Sequence, residues 1–406
     1  MTAQIDTHVR TPVLSRADVE QVARDLATRF AEGSADRDAE RRHPLDEVRT
    51  LAASGLLGIT VPASAGGSGL AHSSAGEVLR LIARGDSSVA QIVLAHFVLL
   101  DVAALAATPE LRDLLHEVAT SGGWIGNATA ERGTQHVFDR TTRAERRDDG
   151  TVLVRGRKFY ATGALGSTLF GVAANLDGDP GHPVIVFVSP HDDGVTIEED
   201  WSGFGQRTTA SGTVILDDVA VPAAQLLDLG PVPADPPRSP VGAYDQLLHA
   251  AIDVGIARAA LEDGAAFVRD RSRPWVESGV ARVSDEPHVQ LRFGQLRTRL
   301  AALEALFDRA GRAVDEVDRT APTQAQLLDA SFAVAEAKAY AQEVGPAIAT
   351  DVIELAGTSA VDQRHGLDRH WRNVRTHSLH DPARWKYVHL GAHLLDGTAP
   401  PNHPLF

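Results

Sequence analysis

The chain has 406 residues, 43% of them hydrophobic, and sets 39 Lys and Arg against 54 Asp and Glu for a formal net charge of −15. That length and apolar content can bury a large core, in two or three domains or one large multi-part unit. An acidic balance with no Lys- or Arg-rich block argues against nucleic acid, whose affinity rests on neutralising phosphates, and the absence of cysteine removes thiol nucleophiles, cysteine-ligated zinc, iron–sulfur clusters and disulfides.

A soluble cytoplasmic enzyme fits these features. The opening MTAQIDTHVRTPVL has no basic stretch leading into an apolar run, so no signal peptide is expected. The apolar run from Val89 to Ala107 is interrupted by Gln91, His96 and Asp101 and reads as a buried helix, not a membrane span.

In chain order, Ser15 and Asp18 form a capping-box-like start, after which Val19, Val22, Leu26 and Phe30 recur at helical spacing. A charged loop around 33–43 follows. Pro44 opens a second helix with Leu45, Val48 and Leu51 inward, and Gly55 closes it. In LLGITVPASAGGSGL, residues 56–70, the glycines Gly66, Gly67 and Gly69 make a flexible turn that suits a phosphate cradle or a plain connector equally. A helical block continues to about residue 120. Within it His96 stands on an otherwise apolar helix, as a satisfied core residue or as a catalyst.

From Trp124 the texture changes. Short β-rich runs such as TVLVRGRKFYATGA, PVIVFVS and GTVILDDVAVP, separated by Gly, Asp and Pro clusters, predict a compact β domain over about 124–222. Residues 229–240 are proline-rich and predict an extended connector. Helical periodicity then returns: Leu296, Leu300, Leu303, Phe307, Ala310 and Val314 mark one long helix, and Leu328, Phe332, Ala335 and Ala339 mark another that Gly345-Pro346 is expected to kink or end. Two long antiparallel helices suggest a four-helix bundle, and the abundant alanine allows close helix approach or a subunit interface.

The densest chemistry lies in RNVRTHSLHDPARWKY, residues 372–387. His377 and His380 share a helical face or converge on a tight turn, and Pro382 stops a helix near His380.

Helical block, β domain and helical bundle in this order resemble the acyl-CoA dehydrogenase fold over nearly the whole chain. The phrases that carry the resemblance are LAASGLLGITVPASAGGSGL, GRKFYATGA and WSGFGQRTTASGTVILDDVAVP. The implied architecture is α+β, mostly α: an N-terminal helical domain (1–123), a central β domain (124–228) and a C-terminal four-helix bundle (229–406). Where acyl-CoA dehydrogenases commonly carry a glutamate base in a YEGT-like turn, this chain has His380-Asp381-Pro382-Ala383. THSLHDPARWKY instead resembles the flavin-dependent monooxygenase branch, which includes dibenzothiophene monooxygenase and related sulfone-acquisition and N-hydroxylating enzymes.

That resemblance implies two-component oxygenation. Reduced FMN, with FAD as the other option, is supplied by a separate NAD(P)H:flavin reductase and reacts with O2 to give a flavin hydroperoxide, which oxygenates a small organosulfur, aromatic or amine substrate. The protein must exclude water and position the reactants. His380 is the expected donor to the peroxide, and Asn127, Thr162 and His96 share the catalytic role. By resemblance Asn127, Thr129, Ala130, Lys158, Phe159 and Thr162 approach the isoalloxazine and Trp201 walls it. Arg271, Arg273, Thr358 and Ser359 resemble phosphate contacts donated across a subunit interface. A homotetramer is implied.

Three other readings remain open: an acyl-CoA dehydrogenase with Asp381 as its base, a non-heme metal oxygenase using His377, His380, Asp381, His389 and His393, and a helical interaction protein without cofactor.

Overall fold

The computed structural model describes residues 10–234 and 236–406. The reading of the N-terminus as lacking a signal peptide rests largely on residues 1–9, which lie outside the described residues.

Six helices come first. In α1 (Arg16–Ala31) Ser15 accepts from the Asp18 amide while Asp18 accepts from the Ser15 amide, and Val19, Ala23, Ala27 and Phe30 face inward. The segment expected to be a charged loop folds as α2 (Ser34–Glu40). Its buried side is ionic: Arg37 pairs with Asp86 at 2.8 Å and Glu47 at 2.9 Å, so no apolar periodicity marks it. Next is α3 (Leu45–Ala53), after which Gly55, at φ +88°, turns the chain where a Cβ would strike the Pro12 carbonyl. α4 (Ser73–Gly85), α5 (Ser87–Ala106) and α6 (Pro109–Thr120) complete the block. α5 is long and apolar enough to cross a membrane, with a mean hydropathy of 2.1, but it is enclosed by its neighbours and serves as a core helix.

The strands are β1 (Ile125–Ala128), β2 (Arg143–Arg146), β3 (Thr151–Lys158), β4 (Leu169–Leu176), β5 (Pro183–Val188), β6 (Val195–Glu198), β7 (Thr213–Pro222) and β8 (Leu226–Asp228). They form one sheet in the order β6-β7-β3-β2-β4-β5-β8, and β1 joins the same edge of β4 as β2, both in parallel. β4 is buried along its whole length, as a central strand covered on both faces must be.

Five helices follow the proline-rich connector: α7 (Val241–Asp270), α8 (Pro287–Asp315), α9 (Gln324–Ala356), α10 (Asp368–His377) and α11 (Ala383–Asp396). The inward residues expected of α8 are all buried. Gly345-Pro346 does not end a helix: α9 runs through both residues to Ala356. The usual steric penalty before proline falls on a Cβ, and Gly345 has none; a Cβ there would also press on Val374 Cγ2 of α10 at 2.8 Å.

Candidate active site

Four helices converge where α10 ends and α11 begins. Pro382 caps α11, and the turn before it carries His380 and Asp381. α7 presents Asp245, His249 and Asp253 at four-residue intervals, hence on one face, and α9 presents Lys338 and Gln342 in the same way. The Asp253 carboxylate meets His377 Nδ1 at 2.6 Å and Lys338 Nζ at 3.0 Å. His377 Nε2 lies 3.2 Å from His249 Nδ1. The His249 ring in turn stacks on His380, with centroids 3.7 Å apart and planes 22° from parallel.

Beside this chain of groups, the Asp381 carboxylate pairs with Lys386 Nζ at 2.7 Å and lies 3.5 Å from His380 Nδ1, while Gln342 Nε2 donates to its backbone carbonyl at 3.0 Å. Burial alone would raise the Asp381 pKa, but His380, Lys338 and Lys386 outweigh it and hold the carboxyl well below the usual carboxylate range. Burial pushes His249 and His377 down and Asp245 up. His380 is the ring that reaches solvent, with 37% of its side chain exposed.

A second wall comes from β-domain loops, which meet this corner through α10. Asn127 N donates to the Thr162 carbonyl at 2.9 Å, and Thr162 Oγ1 joins Ser211 Oγ at 2.6 Å, which joins Thr209 Oγ1 at 2.7 Å. Trp201 Nε1 donates to the Gln206 carbonyl at 2.8 Å, and its ring lies edge-on to Tyr160 at 5.9 Å. Tyr160, Gln206 and Ala210 all hold φ near +50°, strain of the kind concentrated at functional sites.

This wall docks directly on α10. Asn373 Oδ1 accepts from Gln206 N at 2.7 Å, Phe204 stacks on Trp371 at 6.0 Å, and Gly205 packs against the Arg372 carbonyl. Arg372 itself reaches Asp38 of α2 at 2.5 Å and the Phe204 carbonyl at 3.2 Å.

Several expected site residues take other places. His96 is fully buried: Nε2 bonds the Leu57 carbonyl at 3.0 Å and Nδ1 accepts from Ile125 N at 3.2 Å. Burial lowers its pKa to about 4. With both nitrogens used by backbone, the ring stitches α5 to β1 and is not available to a reactant.

Lys158 is likewise 0% exposed, bonded to Glu131 at 2.7 Å and to the Thr129 carbonyl at 3.3 Å. It braces the loop that carries Asn127, Thr129 and Ala130 and does not face the cleft. Phe159 is buried beneath the Arg132 guanidinium.

Arg271 and Ser359 line an open cleft of about 540 Å³ with Phe267, Arg364 and His365; Arg273 and Thr358 are exposed but outside that lining. Along α7 this cleft stands about 33 Å from His249, at 1.5 Å per residue. One flavin cannot reach both places within a single chain.

The metal reading gains no support from geometry. His389 stacks on Trp385 and meets Phe406, His393 lies on Phe332, and among the described residues no group of three or more His, Cys, Asp or Glu is arranged to hold an ion.

Asp245, His249, Asp253, Lys338 and Gln342 were not singled out from the sequence. Their signal was there: polar residues at four-residue spacing inside helices that are otherwise apolar.

Residues 16–122 match the family model "Acyl-CoA dehydrogenase, N-terminal domain" and residues 247–385 match "Acyl-CoA dehydrogenase, C-terminal domain". The chain belongs to the acyl-CoA dehydrogenase family. Within that family it is 32% identical to a dibenzothiophene monooxygenase of Mycolicibacterium goodii, over 94% of each chain. It is 30% identical to the probable FMNH2-dependent monooxygenase SfnC of Pseudomonas putida, over 98% of each. The crystal structure of FMN-bound TdsC from Paenibacillus sp. A11-2 superposes with a TM-score of 0.89 at 28% identity, covering 96% of this chain and 100% of that one. These relatives put this family member in the flavin-dependent monooxygenase branch.

The β-domain wall fits a flavin ring. It offers neutral amide and hydroxyl groups, backbone approached by small residues, and the half-exposed aromatic Tyr160 beside Trp201. At the junction with α10, Gln206 Nε2 and Thr376 Oγ1 are buried without a hydrogen-bond partner among the described residues.

Proposed function

We propose that this chain is the oxygenase component of a two-component system, using reduced FMN from a separate NAD(P)H:flavin reductase and O2 to oxygenate a small organosulfur compound. The observation that carries the reading is near-full-length similarity to FMNH2-dependent monooxygenases together with a histidine pair at the corner where the family's dehydrogenases keep a carboxylate base. When bound, reduced flavin supplies the two electrons that let one oxygen atom enter the substrate while the other leaves as water.

The chain's residues hold and enclose. Asn127, Thr129, Ala130 and Thr162 present amide, hydroxyl and backbone groups to the ring, and Trp201 closes its side. His380 is the acid: its Nδ1 lies 3.5 Å from the Asp381 carboxylate, and in the imidazolium form, protonated on both nitrogens, Nε2 has a second N–H to donate. Gly205 and Gln206 pack on α10 and fix the edge of the β-domain wall there.

Asp381 is a poor candidate for a dehydrogenase base, because Lys386 neutralises it and its proton affinity is depressed.

Arg271 and Ser359 bind the flavin phosphate of a neighbouring subunit, a role supported by their distance from the chain's own corner. The exposed apolar residues of α11, among them Val388, Leu394 and Leu395, suit the subunit contacts of a homotetramer, and the enzyme works in the cytoplasm beside its reductase.

The test is turnover with a supplied flavin reductase, NADH, FMN and O2 against a panel of aromatic sulfur heterocycles, small sulfones and amines. Mass spectrometry should find one added oxygen on a sulfur compound. Oxygenation of amines alone would reassign the substrate class, and oxidation of an acyl-CoA without reductase would overturn the reading.

A further inference from the structure

Nothing above gives His249 a task, yet it is the ring against which His380 rests. We propose that His249 is a positioning residue: Asp253, acting through His377, locks it as a neutral imidazole so that the exchangeable proton of this corner resides on His380. The inference rests on the reading of His380 as the acid.

The lock follows from donor and acceptor bookkeeping. Asp253 lies between Lys338 Nζ at 3.0 Å and His377 Nδ1 at 2.6 Å, and a carboxylate only accepts. His377 therefore carries its proton on Nδ1. As a buried neutral ring it has a bare Nε2, which needs a donor, and His249 Nδ1 stands 3.2 Å away. His249 must then carry its own proton on Nδ1 and leave Nε2 bare. The nearest acidic oxygen, Asp245 Oδ1, is 3.7 Å from that nitrogen, beyond hydrogen-bonding distance. One fixed anion thus sets the tautomer of two successive rings.

The surroundings oppose a second proton on His249. It faces Asp245 and Asp253 from its own helix, Lys338 from α9, His377 from α10, His380 and Asp381 from the turn, and Lys386 from α11. Asp253 is already matched by Lys338 and His377, Asp381 by Lys386, and burial favours the neutral acid form of Asp245. A charge on His249 would also sit 3.7 Å from the His380 ring, so the two cannot both be cations. His380 has solvent on one side and a carboxylate on the other.

The test uses the resting protein without flavin. Magic-angle-spinning NMR of 15N-histidine-labelled protein, with a His249→Phe spectrum to identify signals, should find His249 and His377 neutral and protonated at Nδ1 from pH 8 down to about pH 5. An Nε2-protonated or titrating His249 overturns the proposal. Diethyl pyrocarbonate, which acylates neutral imidazole, then reports the unprotonated share of exposed His380 by peptide mass spectrometry across pH. His377→Asn should release His249 to share the proton and raise the acylation rate of His380 severalfold at a given acidic pH, and adding His249→Phe should restore it. An unchanged rate in His377→Asn, or a double variant that stays fast, counts against the lock. The NMR arm stands even where His377→Asn fails to fold, since it needs only the wild-type and His249→Phe spectra. Neither arm involves turnover, so failure here leaves the monooxygenase reading to its own test.

Discussion

The Asp381 carboxylate and the Lys386 ammonium face each other at 2.7 Å with 2% of each side chain exposed. Removing one partner of such a pair strands the other charge in a dry environment. Asp381→Asn should therefore act first on stability, lowering the free energy of unfolding by about 3–5 kcal/mol. Urea denaturation of the variant measures this. A variant of unchanged stability but abolished turnover would point instead to Asp381 as a reacting group.

His380→Ala removes the exposed ring and leaves the buried partners in place. Product formation should fall by at least about a hundredfold with fold and oligomer intact, while oxygen uptake persists and is recovered as hydrogen peroxide. Parallel assays of product, peroxide and oxygen decide it; full coupled activity would end the assignment.

Gly205→Ala places a methyl group against the Arg372 carbonyl, where the β-domain loop meets α10. Neither backbone can yield without parting the junction. The expected cost is about 1–3 kcal/mol, seen as roughly a fivefold to 150-fold loss of affinity for reduced FMN in anaerobic titration. Wild-type affinity would show that this junction does not shape the flavin site.

His96 supplies a pH dependence. Its pKa in the fold, about 4, lies below the ordinary 6.5, so between these values the unfolded chain binds a proton that the native ring refuses. Stability is then lost as pH falls from about 6.5 to 4, by about 3 kcal/mol from this one group. His96→Gln should be less stable at pH 7 but show a shallower acid slope. Denaturation of both proteins at pH 7.5 and pH 5 checks the sign.

The legible parts of the sequence were those governed by apolar repetition. Phe30 in α1 and Leu300 in α8 announce their helices because each packs on an apolar core, and β4 does so as a fully buried run. α2 did not, because Arg37 buries an ionic face and leaves no apolar period. Pro346 did not end α9: Gly345 spares the clash of the proline ring with a preceding Cβ, although the amide donor at Pro346 is still lost.

At the site, His377 and His380 drew notice by density within one short stretch. Their partners Asp253 and His249 lie more than a hundred residues earlier, where four-residue spacing marks a polar face on α7 but not which later residues it will meet. Lys158 was misplaced because GRKFYATGA conveys which loop it belongs to but not that Glu131 turns its ammonium inward.

Arg372 bonds Asp38 from the first helical block and the Phe204 carbonyl from the sheet domain while itself belonging to the last bundle. The two stretches that match separate family models, and the sheet between them, thus share one guanidinium. A gene fragment ending before α10 would leave Asp38 and the 204–206 loop without their partner. An exchange or fusion that cuts between these stretches must therefore supply a new partner for Asp38 and for the Phe204 carbonyl.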